Sequence, residues 1–174
     1  MKLQMRSWDK RDLGMIFLTG LKCNRGAEIG VYTGDMSEFL LRVMPDVHLY
    51  LIDPYKHFPK EIYDDIANDG QEIQDARYEY VSALFKKNKN VEIMRLTSEE
   101  AAAKIPDGSL DFAYIDANHA FEFVKQDIRL WWPKIREGGI LAGHDYTNPC
   151  VANAVITANL ADEVHWLMVA DVWM

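Results

Sequence analysis

The residues able to do chemistry in this chain gather where apolar runs stop. Ala27-Glu28-Ile29 runs into Gly30 and Gly34, spaced G-x-x-x-G, and HLYLI ends in Asp53. Glycine at both places lets the backbone turn tightly and leaves no side chain between loop and ligand. A carboxylate at the end of the following strand is placed to accept hydrogen bonds from ribose hydroxyls. Further on, FAYI ends in Asp116 with His119 three residues later, and ILAG ends in His144-Asp145. His119 reads in two ways, as a partly exposed residue at a helix start or as a general base working near neutral pH. Asp116, His144 and Asp145 also read in two ways. They could hold one divalent cation, with Mg²⁺ favoured by the carboxylates, or form a hydrogen-bonded cluster without metal. A dinucleotide fingerprint G-x-G-x-x-G is absent, because Tyr32 occupies its second glycine position, and so is a phosphate-binding G-x-x-x-x-G-K-[ST] loop. A ligand with ribose and adenine but no pyrophosphate fits this frame.

The elements that must position these residues alternate. The pattern predicts helices over 9–21, 35–43, 71–87, 120–135 and 151–160, with a further helix opening at Ser98 as its N-cap. Strands are expected over 27–31, 48–52, 91–96, 110–116, 140–146 and 164–169, with one more beginning in 171–174. Steps of three and four between Phe121, Val124, Ile128, Trp131 and Ile135 mark the fourth helix as amphipathic. In 71–87, Ile73, Tyr80, Val81 and Leu84 are expected to share the inward face. Alternation of this kind implies an α/β, doubly wound, mostly parallel Rossmann-like sheet with helices on both faces. In such a sheet the ligand lies across the carboxyl ends of the strands. Glu28, Gly30, Asp53, Ser98, Asp116, His144 and Asp145 all fall at or near such ends, and this convergence carries the functional reading. The segment 53–70 is long for a plain connection, and its Tyr55, His57, Phe58 and Tyr63 read as a wall for a ring-bearing small molecule.

Bulk properties set limits. At 174 residues the expectation is one domain spanning 1–174, with 49% hydrophobic and 26% charged residues, as in ordinary globular proteins. A formal net charge of −8 argues against a nucleic-acid partner, which wants a basic face. Cys23 and Cys150 have no metal-type spacing and read as free thiols in a reducing, cytoplasmic compartment. The apolar stretch 13–21 is too short for a membrane span and reads as part of a helix. A homodimer is left open.

These stretches together resemble the class I S-adenosylmethionine-dependent methyltransferases, in particular a small bacterial branch with an IDxxH…GHDY signature. EIGVYTGDMS, LIDPY, IPDGSLDFAYIDANHAFEFVKQDI and WWPKIREGGILAGHDY carry the resemblance, from about residue 26 to 155. It implies a methyltransferase fold shortened at the C-terminus and S-adenosylmethionine as cofactor. Glu28, Gly30 and Gly34 would support the methionine end, and Asp53 the ribose. Ser98, with Glu99, would contact the adenine. Asp116 corresponds to a carboxylate that binds Mg²⁺ in metal-dependent O-methyltransferases and would border the cofactor, with His144 and Asp145 completing the site. Asn118 stands where many relatives carry an acidic residue, and His119 where some carry a lysine.

The expected reaction is in-line displacement, in which an acceptor oxygen attacks the sulfonium methyl, His119 removes the hydroxyl proton, and a cation at the catalytic Asp116 and at Asp145, if present, lowers the hydroxyl's pKa and orients it. The acceptor is expected to be a small molecule. Two other readings stand beside it, a non-catalytic cofactor-binding protein and a nicotinamide-dependent oxidoreductase.

Overall fold

Strand β4 (Leu110–Ile115) is buried at every position, as an apolar run must be when helices cover both faces of its sheet. In this computed structural model, which describes residues 23–158, 168–169 and 172–173, β4 is central. β1 (Arg25–Ile29) lies on one side of it and β5 (Ile135–Gly143) on the other. With β2 (His48–Ile52), β3 (Val91–Met94), β6 (Met168–Val169) and β7 (Val172–Trp173), the order is β3-β2-β1-β4-β5-β7-β6. The first five strands run parallel, while β7 pairs antiparallel with both β5 and β6. The strand order reverses between β1 and β4, which opens a crevice at their carboxyl ends. The expected helix over 9–21 and most of the expected strand over 164–169 lie outside the described residues.

Two cores follow from the two faces. Helices α1 (Asp35–Val43) and α2 (Gln71–Phe85) pack Leu40, Val81 and Phe85 against Leu49, Leu51, Phe112 and Tyr114. On the opposite face α3 (Ser98–Ala102), α4 (Phe121–Trp131) and α5 (Pro149–Thr157) pack Ala101, Ile128, Trp131 and Val155 against Ile29, Ile115 and Leu141. Phe112 and Tyr114 point one way and Ala113 and Ile115 the other, the period of two that a strand imposes.

Several local expectations are corrected. Helix α2 buries Gln74, Val81 and Phe85, whereas Ile73 and Tyr80 are about half exposed, at 49% and 56%. Helix α4 stops at Trp131, where Pro133 follows in a single 3₁₀ turn over Trp132–Lys134. Strand β5 then starts at Ile135, earlier than expected. Its register against β4 jumps from Leu110↔Ile135 to Phe112↔Ile140, so 136–139 bulge out of the ladder. Gly138, at φ 72°, turns that bulge. Thr97, and not Ser98, is the N-cap of α3. Its hydroxyl accepts from the Glu100 amide at 3.3 Å, and the Glu100 carboxylate accepts from the Thr97 amide at 2.9 Å.

Candidate active site

The turn after β1 is built around Gly30 and Asp53. Gly30 has φ 89°, and a Cβ there would lie 2.0 Å from the carbonyl oxygen of Asp116, so only glycine fits between the two strand ends. Gly34, at φ 84°, is the backbone N-cap of α1. Asp53 collects the loop from the other side. Its Oδ2 accepts the amides of Val31 and Tyr32, each at 3.0 Å, and its Oδ1 accepts that of Tyr55 at 2.8 Å. Burial pushes the Asp53 carboxyl up, and these three backbone bonds oppose the shift. Tyr32 and Tyr55 both have positive φ, 53° and 43°, and the third such non-glycine residue among those described is Asp145, at 56°. Backbone strain is thus held at the carboxyl edge of the sheet.

A cavity of about 370 Å³ opens above this turn. Gly30, Asp53, Ser98, Glu99 and Asp116 line it, which brings five of the sequence-derived site residues onto one surface. Glu28 and Gly34 do not reach it. Glu28 is 1% exposed and accepts the Ser37 hydroxyl at 2.5 Å, tying β1 to α1 beneath the loop. Burial first, and then the charges of Asp116, Asp53 and Asp35, raise its carboxyl to about 8 despite the Ser37 bond.

The segment between β2 and α2 forms the outer wall. The Asn68 side chain organises it, accepting the Phe58 amide and donating to the carbonyls of Phe58 and Tyr63. Arg77, stacked 4.2 Å over the Tyr32 ring, donates to Asp69 and to the Ala67 carbonyl and anchors the wall to α2. Across the cavity, Asn118 donates to the Ile62 carbonyl at 3.2 Å and accepts the Ala120 amide at 2.9 Å just before α4. Phe58 and Tyr63 face the cavity as expected. Tyr55 is instead 1% exposed in the core beneath. His57 is turned away onto Gln71 and the Asp69 carbonyl.

Beyond Asp116 lies a second group of polar side chains. Asp116, His144 and Asp145 each present a ligand atom, all within 4.8 Å of one another. His119 stands among them. Its Nε2 lies 2.8 Å from Asp145 Oδ2 and 3.4 Å from Asp116 Oδ1, and its Nδ1 lies 3.6 Å from Asp65 Oδ2 of the outer wall. Hydrogen bonds to Asp116 and then to Asp145 raise the imidazole to about 10. His119 and His144 in turn hold the Asp145 carboxyl well below its ordinary range. In this setting the carboxylates of Asp116 and Asp145 favour the protonated imidazole, which weighs against His119 acting as a free base at neutral pH.

Ser98 is committed to other side chains. Its hydroxyl donates to Asp127 and accepts the Trp131 indole N–H at 2.8 Å. Asp127 lines the cavity and was missed by sequence reasoning, although a signal existed. It falls three residues after Val124 and four before Trp131, on the stripe of α4 that faces inward.

A family model described as a methyltransferase domain matches residues 27–146. No curated protein sequence matches the chain. Among solved structures, a Podospora anserina methyltransferase bound to S-adenosylhomocysteine is similar at 15% identity and a TM-score of 0.67, covering 97% of this chain and 78% of that one. A Corynebacterium glutamicum protein is similar at 15% identity and a TM-score of 0.65, with 92% and 78% covered. A Staphylococcus aureus protein assigned as a caffeoyl-CoA O-methyltransferase is similar at 15% identity and a TM-score of 0.64, with 92% and 80% covered.

Proposed function

This chain belongs to the methyltransferase-domain family, as a class I S-adenosylmethionine-dependent enzyme, and on that premise we propose that its acceptor atom is a hydroxyl oxygen of a small molecule. The observation that carries the reading is the continuity of the cavity. The Gly30–Asp53 frame forms one side of it, and Asp116, which lines its other side, leads directly into the cluster of His119, His144 and Asp145. A donor on the frame and a hydroxyl beside Asp116 would then meet between the two.

S-adenosylmethionine, when bound, supplies a sulfonium methyl that is already a strong electrophile, so the protein's task is chiefly alignment. Gly30 lets the ligand approach the backbone, Asp53 offers its remaining acceptor capacity to the ribose hydroxyls, and Ile62, Tyr63 and Phe123 present an apolar wall to the acceptor. Of the carboxylates that line the cavity, Asp116 is the one that also belongs to the cluster with His144 and Asp145, and it would take the hydroxyl proton. His119, whose imidazole Asp116 and Asp145 push toward its protonated form, would orient these two carboxylates. Two carboxylates and an imidazole fit a divalent cation, Mg²⁺ or the more nitrogen-tolerant Mn²⁺. Held by Asp116, His144 and Asp145, such a cation would supply Lewis acidity that lowers the pKa of the acceptor hydroxyl. The Staphylococcus aureus neighbour assigned as an O-methyltransferase supports an oxygen acceptor.

The experiment is incubation with S-adenosylmethionine and caffeic acid as a vicinal-diol probe, with Mg²⁺, with Mn²⁺ and with chelator, read by mass spectrometry. A methyl ether whose yield falls with chelator supports both the oxygen acceptor and the cation. Methylation of amine or thiol probes with none of hydroxyl probes would overturn the oxygen assignment.

A further inference from the structure

Asp127 is a carboxylate on the apolar stripe of a helix, and packing alone gives no reason for it. It is 6% exposed, and Val124, Ile128 and Trp131 around it belong to the core. Two elements fix its position. The Ser98 hydroxyl, carried by the first residue of α3, donates to Oδ1, and the Trp131 indole of α4 donates to that same hydroxyl at 2.8 Å. The Ser98 bond is the one hydrogen bond to its side chain among the described residues, although a carboxylate can accept about four. Burial raises this carboxyl to about 6, against the lowering by Ser98. A buried acceptor with so much capacity unused is costly unless something else donates to it. Asp127 lines the cavity, so that donor can come from the ligand.

The order of the strands says which part of the ligand that is. Asp53, at the end of β2, suits the ribose. The proton-handling cluster stands at the ends of β4 and β5, so the methyl-bearing arm of the donor must run toward it. The base then lies on the other side of the ribose, toward the end of β3, where Thr97, Ser98 and Glu99 line the cavity with Asp127 beside them. We propose that Asp127 accepts a hydrogen bond from the exocyclic amino group of the adenine, and so selects adenine over bases that carry a carbonyl there. The inference rests on the reading that this cavity holds S-adenosylmethionine. Ser98 and Trp131 are positioning residues in this arrangement, and the adenine contact expected of Ser98 passes to Asp127. A carbonyl in place of the amino group would bring two acceptors face to face and leave the buried carboxylate without its donor.

The test is calorimetric titration of the full chain with S-adenosylhomocysteine and with S-inosylhomocysteine, for the wild type and for Asp127→Asn. The wild type is expected to prefer the adenine ligand by about 10- to 100-fold, the loss that accompanies one hydrogen bond to a charged group. In Asp127→Asn the amide can donate to the hypoxanthine carbonyl, and the preference should fall to within about threefold or invert. The ratio is taken within one protein, so a change in folded fraction does not enter it. Equal affinity of the wild type for both ligands would overturn the inference, with S-adenosylhomocysteine binding itself leaving the methyltransferase reading standing. A full preference retained in Asp127→Asn would overturn it too. Failure of the wild type to bind either ligand would sink both readings together.

Discussion

Strand β4 carries an aspartate near each end, and the two are satisfied by different kinds of partner. At the amino end Asp111 accepts the backbone amides of Asn24 and Arg25 at 2.7 and 2.8 Å and the Arg136 guanidinium at 2.6 Å. These donors belong to the fold, and together they staple the start of β1, β4 and the bulge of β5. At the carboxyl end Asp116 meets the side chains of His119 at 3.4 Å and His144 at 3.9 Å, and it borders the cavity. Imidazoles can move, lose a proton or give up a carboxylate to another ligand; backbone amides cannot. Asp53 stands between the two cases, with three backbone partners and a place on the cavity wall. The kind of donor around a carboxylate, more than its burial, separates the part that holds the sheet from the part that can react.

Four substitutions would break or sharpen this contrast. The largest effect is expected from Asp116→Asn, which should lower turnover by about a thousandfold, or about 4 kcal/mol of transition-state stabilisation. Its melting temperature should stay within a few degrees of the wild type. S-adenosylhomocysteine release measures the first and calorimetry the second; a stability loss matching that of the next variant would erase the distinction. Asp111→Ala should do the reverse, costing about 2–3 kcal/mol in denaturant unfolding by stranding two amides and a guanidinium, while folded enzyme keeps its turnover. Asp53→Asn should weaken S-adenosylhomocysteine binding about tenfold, near 1.4 kcal/mol, because the loop keeps some of its acceptors. Unchanged affinity would move Asp53 into the same class as Asp111.

The smallest effect is a slope. Glu28 has a folded pKa of about 8 against an ordinary value of 4.5. Between those values the folded form holds a proton that the unfolded chain has lost, so stability is full below pH 4.5 and declines as pH rises through about 8. Glu28→Gln should be nearly silent in urea unfolding at pH 5 and should flatten that decline. An unaltered slope would show that the buried Glu28 carboxyl does not drive it.

The sequence made the cavity end of β4 easier to read than its opposite end. A carboxylate closing the run FAYI stands out, and His119, His144 and Asp145 could be gathered around it because strand ends in a parallel sheet share an edge. Asp111 was invisible, since its donors are backbone groups and an arginine 25 positions away, brought close by a bulge that no periodicity announces. At the start of α3 the information was present. Thr97 has a glutamate three places on and Ser98 does not, so the capping pair could have been assigned, which would have freed the Ser98 hydroxyl for Asp127. Charge state could not be read in the same way. The His119 imidazole is pushed up by Asp116 and Asp145, which reach it from the ends of two different strands. The inward face of α2 was misjudged for a related reason. Its apolar residues are spread around the helix, and the wall over 53–70 takes Gln74 for its own hydrogen bond to the Ala67 carbonyl.

Gly30 has a consequence for how the reaction could be redirected. No methyl group fits between its Cα and the carbonyl of Asp116, so main-chain contact sets the span from the turn after β1 to Asp116, the proposed base. Exchanging cavity-lining side chains, such as Ile62 and Tyr63 of the outer wall or Phe123 of α4, leaves that gauge untouched. Acceptors of different size could therefore be accommodated by refitting the wall alone, with the working distance of the chemistry inherited unchanged.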